Sequence, residues 1–171
     1  VQGTFSDGVL LKPRGSDIFG DSDVTAQTVT VSIKQVERIT GAHFIDLRPN
    51  GIEIWYSASA VNGNNNYFDQ VYIDGVLVSI DDLGTFPNDE WITVTLVAST
   101  PFTDNVNMFS SKAANSYNSM NLEVRSISMY DRALSAEEVA SNDSNVPHVS
   151  GGTGEDEEPA YNQVTITTIN T

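Results

Sequence analysis

The sequence predicts an all-β domain built from two packed antiparallel sheets, and three observations support this fold class. Apolar and polar residues alternate in runs of strand length, most clearly over Val24–Val36. Asn50-Gly51 and Asp74-Gly75 stand between such runs and favour tight hairpin turns, because these residues tolerate a positive φ. Only one segment carries helix signals. About nine short strands with a single helix are the pattern of a β-sandwich.

The N-terminal part predicts two strands separated by a loop. Thr4–Leu11 is expected to form a first strand with a bend or bulge at Asp7-Gly8, and residues 12–23 form a loop rich in Gly, Pro and Asp. Val24–Val36 predicts a half-buried strand. Its apolar face is expected to carry Val29, Val31 and Ile33, and its polar face Thr28, Thr30, Ser32 and Lys34.

Two hairpins are predicted in the middle of the chain. His43–Tyr56 contains two strand-like runs joined across Pro49-Asn50-Gly51, and Asp69–Ser79 forms a second hairpin with Asp74-Gly75 at its tip. The Asn-rich segment 57–67 predicts a loop. Further strands are expected at Trp91–Ala98, Val106–Ser110 and Asn121–Tyr130.

The last of these strands contains a break in its alternation. Leu122 and Val124 share one side of an extended chain, whereas Ile127 and Met129 share a side that is one residue out of phase. A β-bulge near Arg125-Ser126 would bring all four side chains onto one core, because one extra residue reverses the alternation.

A short helix is predicted directly after this strand. Ser135 and Glu138 have the spacing of a capping box, and Leu134 and Val139 occupy the N′ and N4 positions of a hydrophobic staple. Glu137 and Glu138 lie in the first turn, where the helix dipole favours negative charge.

The run YDRALSAEEV, residues 130–139, resembles the closing motif of laminin-G-like and concanavalin-A-like jelly rolls. The resemblance extends back to about Thr4. It implies a two-sheet antiparallel jelly-roll sandwich with one short C-terminal helix and an extended strand tail. It also implies that Trp91 is a core residue. The order of the Asp-Gly hairpin before the Trp91 strand resembles such domains in phage and bacterial surface proteins.

The composition divides the chain into three parts. Residues 1–145 are expected to form the sandwich, and residues 146–160 form a linker with Gly-Gly and four consecutive acids. Residues 161–171 return to strand chemistry, with Tyr161, Val164, Ile166 and Ile169 as the apolar positions of a strand arm or of the start of another domain. An isolated strand needs a sheet edge, so this arm is expected to pair in cis, with a neighbouring subunit, or within a following domain.

Charge and residue usage exclude several functional classes. The net charge is −15, which disfavours binding to nucleic acid because phosphates are held by Lys and Arg. There is no cysteine, so thiolate metal sites and disulfides are ruled out. No apolar run reaches the ~18 residues of a membrane span, so membrane insertion is not expected. The missing initiator Met predicts a processed chain or a segment of a longer one.

Catalysis is not expected. Retaining glycosidases on this fold need two carboxylates on one strand face, as in Glu-x-Asp-x-x-Glu, and that spacing does not occur in this sequence. The two histidines, His43 and His148, stand in unrelated contexts and belong to no nucleophile or metal motif.

Sugar binding is a more specific hypothesis, because aromatic side chains lie in the sequence beside an Asn-rich loop. A Trp ring can stack on a pyranose while amides bind its hydroxyl groups. The candidate residues are Trp55, Asn62, Asn64, Asn65 and Tyr67. The alternative is that Trp55 packs against a neighbouring strand or subunit.

No cofactor is required by the sequence, and calcium is the alternative that its loop acids leave open. Calcium prefers oxygen ligands on flexible loops, and the resembled family often holds one such ion at the sandwich rim. Asp21 and Asp23 are the candidate ligands.

These features predict a non-enzymatic surface module of a larger assembly, on a virion surface or otherwise extracellular. The expected partners are other structural proteins of that assembly, bound through the arm, together with cell-surface glycans. A phage capsid decoration or fibre protein fits best, and a carbohydrate-binding module of a secreted bacterial protein is the alternative.

Overall fold

The computed structural model describes residues 4–6, 9–12, 18–19, 23–37, 42–47, 52–56, 61–63, 67–84, 87–104, 107–109 and 120–144. These residues form mostly antiparallel strands, one 3-10 helix (Ile80–Gly84) and one α-helix, α1 (Ala136–Ser144). In chain order the strands are β1 (Thr4–Ser6), β2 (Val9–Lys12), β3 (Ile18–Phe19), β4 (Val24–Glu37), β5 (His43–Leu47), β6 (Ile52–Tyr56), β7 (Val61–Gly63), β8 (Phe68–Ile73), β9 (Val76–Val78), β10 (Trp91–Asp104), β11 (Asn107–Met108) and β12 (Asn121–Tyr130).

The strands form two sheets. The larger has the order β1-β2-β12-β4-β10-β8-β9, and the smaller has the order β3-β11-β5-β6-β7. One hydrophobic cluster draws buried side chains from both sheets, including Val31 of β4, Phe44 of β5 and Met108 of β11. The β-rich class predicted from the alternation is therefore confirmed.

Both predicted hairpins are present in the strand pairing. β5 pairs with β6 from Leu47 and Ile52 onward, and β8 pairs with β9 from Ile73 and Val76 onward. Asp74 and Gly75 close the second hairpin with φ values of 51° and 75°, the left-handed geometry that a two-residue turn of this kind requires. The 48–51 turn of the first hairpin lies outside the described residues.

β4 occupies the centre of the larger sheet, between β12 and β10. Val29, Val31 and Ile33 lie in the hydrophobic cluster, as predicted. Thr28, Thr30 and Ser32 on the opposite face are also buried, so the prediction of a half-buried strand was wrong. Alternation shows which residues share a face of a strand, but it does not show whether a second layer covers the polar face.

The predicted β-bulge in β12 is confirmed. Val124 pairs with Ile33 and Ser126 pairs with Ser32, so Arg125 is the extra residue. Leu122 and Val124 are buried in the hydrophobic cluster, and Ile127 and Met129 pack against it from the other side of the bulge.

Several boundaries differ from the sequence prediction. The single first strand is two strands, β1 and β2, which pair with each other. β3 and β7 lie in segments that were expected to be loops. β10 continues through Pro101 to Asp104 after an irregularity, where a connecting link was expected. Local residue preferences missed these strands because two- and three-residue strands depend on the neighbour with which they pair.

The position of Trp91 also differs from the one that the resemblance implied. Ile92 belongs to the hydrophobic cluster, and Trp91 lies on the opposite face of β10 and is only partly buried. The prediction of a core tryptophan was therefore wrong.

Deleting Arg125 is expected to destabilise the fold much more than replacing Arg125 with alanine. Both variants lose the same side chain, but only the deletion removes the register shift and turns Leu122 and Val124, or Ile127 and Met129, away from the core. Exposing two such side chains costs about 3–6 kcal/mol, comparable with the whole stability of many domains. Urea unfolding of both variants measures the difference, and equal midpoints would contradict this role for the bulge.

Candidate binding face

The structure brings two of the predicted sugar-binding residues together. Trp55 on β6 and Asn62 on β7 are direct partners in the strand register. Trp55 is also the register partner of His43 on β5, so it lies on an inner strand of the smaller sheet. Asn64 and Asn65 lie outside the described residues.

Tyr67 lies just before β8, in the other sheet. Its ring packs against Phe68 and Phe102 with centroid separations of 5.7 Å and 6.2 Å, and its hydroxyl donates to the carbonyl of Thr100 at 3.3 Å. These contacts fix the ring at the edge of the hydrophobic cluster, and its assignment to a sugar site stays a prediction.

The predicted calcium ligands are only partly described. Asp23 is exposed directly before β4, and Asp21 lies outside the described residues. Within the described ranges, no three His, Asp or Glu side chains come close enough together to hold a metal ion. The arm residues Tyr161, Val164, Ile166 and Ile169 also lie outside those ranges. No helix in the described part of the chain is both long and apolar enough to span a membrane.

The larger sheet carries a polar face that the sequence analysis did not single out as a site. Directly paired residues of β12, β4 and β10 share a face, so the register arranges this face into four rows. In that strand order, the rows are Glu123–Lys34–Trp91, Ser126–Ser32–Thr93, Ser128–Thr30–Thr95 and Tyr130–Thr28–Val97. We call this surface the polar face.

The first row forms a charged and aromatic group. Lys34 Nζ lies 2.9 Å from Glu123 Oε2 and 5.7 Å from the centre of the Trp91 ring. The guanidinium carbon of Arg125, the bulge residue, lies 3.7 Å from the same ring centre. Arg125 is the extra residue of β12, and its long side chain reaches past the neighbouring β4 to a ring on β10.

The second and third rows are composed of hydroxyl groups. Thr30 and Thr95 share a hydrogen bond of 3.0 Å between their hydroxyls. Ser32 and Thr93 are only 2% and 7% exposed, so both side chains are buried. Within the described residues, their hydroxyls and those of Ser126 and Ser128 form no hydrogen bond with another protein group.

The fourth row is covered by the segment that leads into α1. Thr28 Oγ1 donates to the carbonyl of Arg132 at 2.8 Å and accepts from the amide of Leu134 at 3.1 Å. Leu134 and Val139 are buried with Tyr72 and Val97 in a second hydrophobic cluster. The helix therefore closes one end of the polar face and leaves Trp91 and Arg125 at the other end.

The predicted helix cap is confirmed in detail. The amide of Ser135 donates to Glu138 Oε2 at 2.9 Å, and the amide of Glu138 donates to Ser135 Oγ at 3.3 Å. Arg132 donates to both carboxylate oxygens of Glu138, at 2.8 Å and 2.7 Å. These hydrogen bonds, first of all the one from Arg132, lower the pKa of Glu138 to about 2.

The polar face combines an aromatic ring, a guanidinium group over that ring and hydroxyl groups, which are groups that proteins use to bind polar ligands. Two features of the sequence indicate this polar face. Hydroxyl residues stand at every second position from Thr28 to Ser32, and the phase change in Asn121–Tyr130 indicates the bulge at Arg125.

Comparison with known proteins identifies no relative from which a function could be assigned. No protein-family model matches the chain, and no curated protein matches it at significant similarity. The resemblance of residues 130–139 to jelly-roll closing motifs therefore stays a prediction.

Replacing Glu138 with glutamine is expected to lower thermal stability at neutral pH, with a difference from the wild type that disappears at low pH. The folded-state pKa of Glu138 is about 2, below its ordinary value of 4.5, so its contribution is complete above pH 4.5. That contribution is lost as the pH falls from about 4.5 to 2. Melting curves of wild type and variant across this range test the effect, with Asp69→Asn on an exposed site as the charge-matched control. A difference that stays constant down to pH 2 would contradict the assignment.

Proposed function

We propose that this chain is a non-enzymatic surface module of a larger assembly, such as a phage capsid decoration or fibre protein. It displays a concanavalin-like jelly-roll domain for attachment or adhesion at a virion surface or in another extracellular setting. The observation that carries the proposal is the geometry of the closing segment, from the bulge at Arg125 to the capping box of Ser135 and Glu138. Residues 130–139 of this segment resemble the closing motif of laminin-G-like and concanavalin-A-like jelly rolls.

The position of this segment supports display at one end and attachment at the other. β12 lies between β2 and β4, so the last strand of the larger sheet is locked between strands from the start of the chain. The chain then crosses the polar face at Thr28 and forms α1. The residues after 144 lie outside the described residues, and we propose that they connect the domain to its surroundings.

The sequence after α1 has the composition of a linker followed by a strand. Residues 146–160 include Gly151-Gly152 and the acids 155–158, and the arm 161–171 alternates Val164 and Ile166 with threonines. Such a strand is stable only when it adds to a sheet edge. β9 is an edge strand of the larger sheet, and its Val76 and Leu77 are 64% and 60% exposed. We therefore propose that the arm pairs with a sheet edge of a neighbouring subunit.

The full chain is expected to self-associate, and a chain ending at residue 145 is expected to be monomeric. Val164→Lys with Ile166→Lys should abolish association, because charges would replace the apolar side of the arm. Thr165→Lys with Thr167→Lys adds the same charge on the other side of the strand and serves as the control. Sedimentation velocity measures the mass of each species in solution. The same number of subunits for the full and the shortened chain would contradict the role of the arm.

Carbohydrate binding at the smaller sheet is the second candidate function. It is supported by the strand register, in which Trp55 and Asn62 are direct partners on neighbouring strands. That combination suits stacking on a sugar ring with hydrogen bonding to its hydroxyl groups. Calcium at Asp21 and Asp23 remains a separate prediction that this candidate does not require.

Trp55→Ala is expected to abolish glycan binding on an array of bacterial cell-surface oligosaccharides, whereas Trp55→Phe should retain part of it. The phenyl ring can still stack on a sugar, although over a smaller area. Comparing the two variants therefore separates loss of the aromatic stacking surface from loss of side-chain packing in the protein. Thermal melting checks that both variants are folded. Equal binding by Trp55→Ala and the wild type would rule out this site.

A further inference from the structure

We propose that the Arg125–Trp91 end of the polar face is a binding site for a sugar that carries a carboxylate group, such as a uronate or a sialic acid. This inference rests on the proposal that the domain is displayed for attachment, and it names a ligand class and a site for that role. It is independent of the arm and of Trp55, which lies in the smaller sheet.

Arg125 is held in the geometry that carboxylate recognition requires. Its guanidinium carbon lies 3.7 Å from the centre of the Trp91 ring, and its side chain is only partly buried. Stacking uses one face of the guanidinium and leaves its N–H groups at the edge, where they can bind a carboxylate in a bidentate manner. Within the described residues, Arg125 forms no ion pair or hydrogen bond that would occupy those donors.

The neighbouring cation is arranged differently. Lys34 lies between Trp91 and Glu123, and its charge is balanced by Glu123 at 2.9 Å. The pair therefore forms a polar border to the site, and Arg125 supplies the charge that is available to a ligand. One available guanidinium group matches one carboxylate.

The rest of the ligand would lie on the hydroxyl rows. Ser126 and Ser128 follow Arg125 on β12 and are half-buried on the same face, and their hydroxyls can both donate and accept hydrogen bonds. Rows on one face of a strand are about 7 Å apart, so the first three rows span about 13 Å, the length of a di- or trisaccharide. Sugar hydroxyl groups can donate hydrogen bonds to such protein hydroxyls and accept hydrogen bonds from them.

The overall charge restricts the ligand further. With a net charge of −15, the protein repels dense polyanions at long range. A ligand with isolated carboxylates separated by neutral hydroxyl groups experiences less of that repulsion and keeps the local contact with Arg125. A carboxylate sugar fits this condition better than a sulfated or phosphorylated polymer.

The test uses the full chain and matched pairs of charged and neutral probes in titration calorimetry. Trigalacturonate is compared with its methyl ester, and 3′-sialyllactose is compared with lactose, so the two pairs separate uronates from sialic acids. We expect the wild-type protein to prefer the charged member of at least one pair by roughly tenfold or more, the value of a charge-assisted hydrogen bond. An equal affinity for both members of each pair, or no binding to any probe at about 10 mM, would overturn the proposal.

Arg125→Met and Arg125→Lys test the residue itself. Methionine keeps an unbranched chain against Trp91 without the charge, so it should remove the preference for the carboxylate and leave affinity for the neutral probe unchanged. Lysine keeps the positive charge but lacks the planar pair of donors that binds a carboxylate in a bidentate manner, so an intermediate preference for the charged probe is expected. Arg132→Met, which removes the same charge at the distant Glu138 pair, is the control.

The outcomes separate binding from stability and from the proposed function. A purely structural Arg125 would lower the melting temperature in the methionine variant and leave the carboxylate preference intact, which would refute the proposal. If Arg125→Met does not fold, Arg125→Lys gives the deciding result. Failure of the arm experiment leaves this result unaffected, because the probes bind the sheet and not the tail.

Discussion

One extra residue in β12 is the constraint on which both sides of the larger sheet depend. The shift at Arg125 brings Leu122, Val124, Ile127 and Met129 onto one hydrophobic cluster, although the sequence places them in two phases. Arg125 itself lies on the opposite face of the sheet, where its guanidinium group lies against Trp91. A regular strand could bring only one of these two apolar pairs to the core, since its side chains alternate strictly.

Thr28 and Thr30, on the hydroxyl side of β4, show how buried hydroxyl groups find hydrogen-bond partners. Thr28 donates to the carbonyl of Arg132 and accepts from the amide of Leu134, so one hydroxyl joins the sheet to the segment before α1. Thr30 and Thr95 satisfy each other across two strands. Burial of such groups is tolerated because each finds a partner, and the partners also fix the position of the helix.

The features predictable from the sequence are those decided by a few neighbouring residues. Asp74-Gly75 specifies its turn, and Ser135 with Glu138 specifies the helix start, because each motif contains its own partners. The burial of Thr28 could not be predicted in the same way, since it depends on a segment about a hundred positions later in the chain. Trp91 illustrates the same limit for a site. Trp91 belongs to the proposed site because it contacts Arg125, which lies on β12, a strand that does not pair with the Trp91 strand β10.

Electrostatics gives the polar face a different character at short and at long range. The excess of acids dominates the field far from the protein, but at physiological salt that field decays over about 8 Å. At the Trp91 ring, Lys34 is balanced by Glu123 at 2.9 Å, and the Arg125 guanidinium carbon lies 3.7 Å from the ring centre. The bulge that completes the core therefore carries, on the other face of the sheet, a guanidinium group that lies against Trp91.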